Sequence, residues 1–256
     1  MEPILLKQEG HILTIGLNRP DKMNAFTTGM IHQLEDAYTQ LENDSELRCA
    51  LLYSTSEHFT AGLELNEVAP KVQGGETLFS ALKVDPVQLY GLKRTKPVVT
   101  AVNGYCLTIA IELILANDIC VAGKESKFGQ IEIKRGIFPF GGATLRMLQH
   151  CGWGNAMRYL LTGDMFDAEE ALRIGLVQEI SEDPYKRGLE LAQTIADQAP
   201  LGVQATLVSA RTAVEDGFEA ARDALQPTIL KLMETDDAKE GVKSFVERRK
   251  AKFIGR

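Results

Sequence analysis

The stretch Pro97-Val98-Val99-Thr100-Ala101-Val102-Asn103-Gly104, closely followed by Ile109-Ala110-Ile111-Glu112-Leu113-Ile114-Leu115-Ala116, decides the fold. The first run is short, rich in β-branched residues and opened by a proline, the pattern of a buried strand. Asn103-Gly104 turns the chain. The second run is apolar on every helical face, so a helix there is buried rather than amphipathic. Ile119-Cys120-Val121-Ala122 then returns as a strand. The whole stretch 97–117 has the length of a membrane span, but Pro97, Asn103, Gly104 and Glu112 interrupt it, so it reads as strand, turn and buried helix.

Between Lys96 and Asp118 the only charged side chain is Glu112. A buried carboxylate without a partner is costly, so it finds one or shifts its pKa. Glu112 is therefore either half of an internal ion pair or a tuned catalytic group. Glu132, in Lys127-Phe128-Gly129-Gln130-Ile131-Glu132, is the second candidate. On local grounds it reads more plainly as a solvent-facing residue beside Lys127, Lys134 and Arg135. In Phe59-Thr60-Ala61-Gly62-Leu63-Glu64-Leu65, Ala61-Gly62 lets a ligand approach the main chain, although an ordinary strand-to-helix turn explains it equally. The start of the Glu112 helix is another place with unpaired N–H groups. Two such donors aimed at one oxygen make an oxyanion hole.

Working outward, Ile4-Leu5-Leu6 and residues 12–17 flank Glu9-Gly10 as a hairpin. Asn18-Arg19-Pro20-Asp21-Lys22 is a turn, and Thr27 or Thr28 caps a helix with apolar positions Met30, Ile31, Leu34, Ala37, Tyr38 and Leu41. Residues 49–54 form a short buried strand. Residues 66–95 read as an irregular, mobile helix-and-loop region around Gly74-Gly75, where substrate specificity is often set. Asp167 starts a helix and Gly175 stops it. Strands alternate with helices to about residue 180, which gives an α/β fold with parallel pairing. From Pro184 onward only helices are expected.

The chain of 256 residues is 45% hydrophobic and 25% charged, the composition of a globular protein large enough for a sizeable core. A net charge of −7 without an acidic block argues against a nucleic-acid binder, while leaving room for an anionic ligand in a local basic pocket. Cys49, Cys106, Cys120 and Cys151 form no CxxC pair and read as buried thiols in a reducing compartment. Met1-Glu2-Pro3 leads directly into a strand-like run with no secretory apolar segment, so a cytoplasmic location is expected. There is no nucleophile elbow, phosphate-binding loop, complete GxGxxG or HExxH, and His11, His32, His58 and His150 are scattered. No metal is expected.

Taken together, the motifs resemble those of the enoyl-CoA hydratase/isomerase (crotonase) superfamily. The matching stretches are Leu17-Asn18-Arg19-Pro20-Asp21-Lys22-Met23-Asn24-Ala25, Phe59-Thr60-Ala61-Gly62-Leu63, residues 96–115, residues 128–146 and residues 160–178. They cover nearly the whole chain in family order. The resemblance implies a superhelix of ββα units, with residues 1–199 as a core that binds a CoA thioester and residues 200–256 as a helical trimerisation region. It implies an acyl-CoA substrate, no cofactor, no membrane or nucleic-acid partner, and a homotrimer or dimer of trimers. The main-chain N–H groups of Leu63 and Ile109 would hold the thioester oxygen. Glu112 and Glu132 would flank a water and serve as base and acid. Ala61, Gly62, Leu63, Glu64, Leu65 and Asn66 match the family's substrate-binding stretch, and Asn24 and Ala25 a segment lining the CoA site. Lys22 would contact phosphate, although a solvated lysine reads as well.

The chain departs from the family pattern in three places. Thr108-Ile109-Ala110 replaces a glycine triplet, Ile131 replaces a proline, and Phe140 replaces a glycine beside the catalytic water. Hydration of a trans-2-enoyl-CoA is the expected reaction because both glutamates are retained. A double-bond isomerase, which needs one carboxylate and no water, is the alternative that Phe140 supports. A non-catalytic acyl-CoA-binding scaffold is the third reading.

Overall fold

A computed structural model describes residues 2–256. The strands are β1 (Ile4–Glu9), β2 (Ile12–Leu17), β3 (Cys49–Ser54), β4 (Val98–Val102), β5 (Tyr105–Leu107), β6 (Ile119–Gly123), β7 (Lys127–Gly129), β8 (Phe166–Asp167) and β9 (Glu179–Ser181). The helices are α1 (Thr28–Asn43), α2 (Leu65–Gln73), α3 (Ile109–Ala116), α4 (Ala143–Cys151), α5 (Trp153–Thr162), α6 (Ala168–Arg173), α7 (Pro184–Ala196), α8 (Pro200–Glu215), α9 (Phe218–Met233) and α10 (Asp236–Glu247).

A six-stranded sheet runs in the order β1-β2-β3-β4-β6-β9, and β5, β7 and β8 form a second sheet in the order β5-β7-β8. The first pair is the antiparallel hairpin expected from the sequence. Every later neighbour in the large sheet is parallel. The chain advances in ββα steps. In the steps β4-β5-α3 and β6-β7-α4 the first strand joins the large sheet and the second joins the small one. This is the α/β superhelix that the motifs implied. The small sheet was not foreseen, because strands of two or three residues are too short to display alternation.

Local rules explain the main elements. Thr27 caps α1, its side chain accepting a hydrogen bond from the Met30 N–H. The apolar stripe of α1 is buried from Met30 to Leu41. Asp167 caps α6 through the Glu170 N–H, and Gly175 follows with φ +83°. Residues 66–95 contain α2 and then a loop ordered by buried Asp85. That carboxylate accepts hydrogen bonds from the N–H groups of Val87 (2.9 Å), Leu89 (2.6 Å) and Tyr90 (2.7 Å).

All residues of α3 are buried. Its C-terminal end is closed by Arg94, whose guanidinium is fully buried. Arg94 donates to the carbonyls of Ala116 (2.9 Å) and Lys96 (2.7 Å) and to Asp118 Oδ2 (2.7 Å). Arg211 of α8 donates to the other oxygen of the same carboxylate (3.0 Å). Removing one partner of a buried ion pair leaves an uncompensated charge. Asp118→Ala is therefore expected to destabilise the fold by about 3 kcal/mol, read by urea denaturation. A loss within the scatter of exposed-site variants would show that Arg94 does not depend on Asp118.

Candidate active site

The N-terminal end of α3 opens onto a cavity of about 300 Å³. Leu65, Val68, Ala69 and Val72 of α2 form one apolar wall, and Ile131, Ile137 and Phe140 another. Glu112 and Glu132 both face it. The two residues, twenty positions apart in sequence and 6% and 8% exposed, are brought together by the fold. No lysine or arginine forms an ion pair with either one, so the buried-pair reading of Glu112 fails among the described residues.

Glu112 is instead held by main chain. Its Oε1 accepts a hydrogen bond from the Gly141 N–H at 2.6 Å. Gly141 has no room for a side chain, because a Cβ there would run into the Glu112 carboxylate. Glu132 opens a short 3-10 helix, Glu132–Arg135, and its Oε2 is buried without a hydrogen-bond partner. Burial pushes the Glu112 carboxyl up from its ordinary value of 4.5 to about 7, and the neighbouring Glu132 charge adds to the shift. Burial likewise pushes Glu132 up to about 7. Two such groups in one cavity near neutrality can share a proton, leaving one a base and the other an acid.

Two residues lining the cavity, Ile109 and Leu63, carry main-chain N–H groups without an acceptor among the described residues. Ile109 is the first residue of α3, so its N–H has no acceptor within the helix. Phe26 pairs with the residues on either side of Leu63, donating to the Gly62 carbonyl (2.8 Å) and accepting from the Glu64 N–H (2.9 Å). The Leu63 N–H therefore points away from Phe26, without an acceptor among the described residues. Gly62 sits at φ +106°, and a Cβ there would strike the side chain of Thr108.

Of the residues marked out by the sequence, Ala61, Leu63, Leu65, Ile109, Glu112, Glu132 and Phe140 line the cavity. The others lie outside it. Gly62 is buried. Glu64 is ion-paired with Arg19. Asn66 is exposed on α2, and Lys22 is exposed at the end of a 3-10 turn. Ala25 accepts a hydrogen bond from Arg19 through its carbonyl (2.9 Å). The Asn24 side chain is engaged within the loop, accepting from the Arg19 N–H (2.6 Å) and donating to Ser54 Oγ and the His58 carbonyl (both 2.9 Å).

The sequence reading did not single out the Gly141 N–H or Arg135, which also lines the cavity, while the α2 wall comprises Leu65 and residues of the 66–95 region expected to set specificity. The glycine pair Gly141-Gly142 was the available signal for the first. Thr108 is a further cavity residue, noted earlier only as a departure from the family's glycines. It adopts φ 51° and ψ −108°, a conformation costing about 1–3 kcal/mol for a residue other than glycine. Among the described residues no cluster of three or more His, Cys, Asp or Glu side chains could hold a metal, and no helix is long and apolar enough to cross a membrane.

The enoyl-CoA hydratase/isomerase family model matches residues 7–256. The enoyl-CoA hydratase EchA19 of Mycobacterium tuberculosis is 34% identical over 98% of this chain and 96% of its own. The 2,3-dehydroadipyl-CoA hydratase of Escherichia coli is 30% identical, with both chains fully covered. The crystal structure of a probable enoyl-CoA hydratase/isomerase from Mycobacterium abscessus superposes with a TM-score of 0.97 at 48% identity, covering 100% of this chain and 99% of that one. The chain belongs to the crotonase superfamily, the enoyl-CoA hydratase/isomerase family.

The two raised carboxyl groups have a measurable consequence. Between pH of about 4.5 and about 7 the folded chain holds protons that the unfolded chain has released. Stability from these groups is therefore fully present below about pH 4.5 and falls as pH rises through about 7. Glu112→Gln keeps an acceptor for the Gly141 N–H and cannot ionise. It is expected to flatten that fall and to stabilise the fold by about 3 kcal/mol at alkaline pH, read by thermal unfolding across the pH range. An unchanged pH dependence would count against a raised Glu112.

Proposed function

We propose that the cavity binds the CoA thioester of a trans-2-enoyl acid and that the enzyme adds water across its double bond. The observation that carries this is the presence of two buried carboxyl groups and two acceptor-free main-chain N–H groups on one apolar cavity. The hydratase names of several relatives support the same reading. The thioester oxygen is held by the N–H groups of Leu63 and Ile109. The ionised member of the Glu112–Glu132 pair takes a proton from water, whose oxygen bonds to the β-carbon. The electrons of the double bond move into the thioester carbonyl, giving an enolate on that oxygen. The protonated carboxyl then delivers its proton to the α-carbon, and the pair has exchanged roles. A lost donor of this kind typically costs about 3 kcal/mol of barrier, and each acid or base group contributes roughly 10²–10⁴-fold.

Glu112→Gln and Glu132→Gln are each expected to reduce turnover of crotonyl-CoA and longer enoyl-CoAs at least about 100-fold while CoA-ester binding persists. Full activity in either variant would end the two-glutamate mechanism. A second reading is favoured by Phe140, which with Ile131 and Ile137 adds apolar surface to the cavity. An isomerase shifting a 3-enoyl to a 2-enoyl thioester needs one carboxylate and no water. Assaying both reactions on one sample separates the two. Tight acyl-CoA binding without turnover in either would favour a scaffold.

The proposal includes assembly as a trimer or dimer of trimers through the C-terminal region, residues 200–256. Its support is exposed apolar surface on α9 and α10, with Phe218 75%, Phe245 85% and Val246 74% exposed. Light scattering is expected to give three or six times the mass of one chain, and a monomer would remove that role. A reducing, cytoplasmic setting fits the four cysteines, all free and buried.

A further inference from the structure

Arg135 is the one cationic side chain lining the cavity, and no step above uses it. Its guanidinium forms no ion pair or hydrogen bond among the described residues. Glu132, three residues earlier, does not claim it, since Glu132 Oε2 is without a partner. The two are the first and last residues of one 3-10 helix. Residues three apart in such a helix eclipse one another, so both side chains leave the same face, about 6 Å apart along its axis. The opposite wall shows a similar change of character. It begins at Leu65, two residues from the Leu63 N–H, and continues through Val68, Ala69 and Val72. The next position on that helical stripe is Gln73, about 12 Å along the axis from Leu65. Gln73 and Arg135 are both exposed, so the cavity is apolar beside the thioester donors and polar where it opens to solvent.

In the pose argued above, Glu132 serves the α- and β-carbons, and the CoA sulfur lies on the other side of the carbonyl. A side chain one turn from Glu132, on a wall remote from Leu63, meets the acyl chain past its β-carbon. A methyl-ended chain would leave the guanidinium to water. A carboxylate would accept a paired hydrogen bond from its planar fork, and the open position spares both ions the full cost of burial. We propose that Arg135 is a specificity-determining residue and that the preferred substrate is an enoyl-CoA thioester whose acyl chain ends in a carboxylate. A six-carbon chain suits the spacing, because the two methylenes and carboxylate beyond its β-carbon span roughly one 3-10 turn. This rests on the reading of the cavity as a thioester site.

The test compares the monothioester of 2-hexenedioic acid and CoA with its ω-methyl ester and with 2-hexenoyl-CoA. Wild-type protein is expected to favour the free acid over both by at least about tenfold in kcat/KM, and added salt should shrink that preference. Arg135→Gln is expected to lower kcat/KM for the free acid about tenfold more than for 2-hexenoyl-CoA, the difference lying in KM because the chain end is remote from the reacting carbons. Arg135→Lys should keep part of the preference, having the charge without the fork. Adipyl-CoA and hexanoyl-CoA are saturated and report binding alone. Tighter binding of adipyl-CoA that Arg135→Gln abolishes would uphold the proposal even without turnover, and hydration alone would then fail. Equal handling of acid and methyl ends by wild-type protein would overturn the role of Arg135 and leave hydration standing. So would an Arg135→Gln variant weakened alike on every thioester, the mark of a contact with the CoA portion or of an arginine stem covering the cavity. A protein that binds none of these thioesters would overturn both readings.

Discussion

The complete burial of α3 is the constraint on which the rest of the structure depends. A helix that gives no face to water must have its end groups satisfied by protein or by ligand. The two ends of α3 are treated differently. At the C-terminal end Arg94 supplies donors to Ala116 and Lys96, while the Asn117 side chain donates to Thr100 Oγ1 (2.8 Å) and accepts from the Tyr38 hydroxyl (3.1 Å). At the N-terminal end the chain offers no acceptor to Ile109, and the cavity lies there instead. One end is closed by protein groups and the other is left open to the cavity. The carboxylate of Glu112 sits one turn in from the open end, where the unpaired N–H groups carry positive partial charge.

Part of the cavity wall follows from residues that depart from the family pattern. Where the family pattern has glycine, proline and glycine, this chain has Ile109, Ile131 and Phe140, and all three contribute to the cavity wall. Because the Ile109 N–H is main chain, a large side chain there alters the shape of the cavity without removing the donor. The glycines that remain do a different task. Gly141 allows an N–H to reach Glu112, and Gly62 yields its side-chain space to Thr108.

The large sheet was readable because its inner strands are apolar runs bounded by turn residues, and α3 because eight consecutive residues leave no polar stripe. The helix α1 was readable from its spacing and its Thr27 cap. The small sheet was not, since β5, β7 and β8 lack the length for a period. Glu132 was locally indistinguishable from a solvated glutamate, with lysine and arginine close by in sequence. Its burial is a product of the tertiary fold, which sets it on a cavity shared with α2, Ile131, Ile137 and Phe140. The strain at Thr108 was likewise invisible, because a backbone angle is imposed by the elements on either side of a residue and not by its identity.

Asp118 divides its carboxylate between two arginines from distant parts of the chain, Arg94 beneath α3 and Arg211 on α8. Arg211 also donates to the Arg94 carbonyl (2.6 Å), so the two arginines are coupled twice. The helix that carries Glu112 and the first helix of the exposed apolar region are thus fastened to one anionic hinge pin. A displacement of α8 on meeting another chain would draw on the same carboxylate that seats the closed end of α3. Contact with another chain and the pose of the Glu112 side chain would then be mechanically connected without touching.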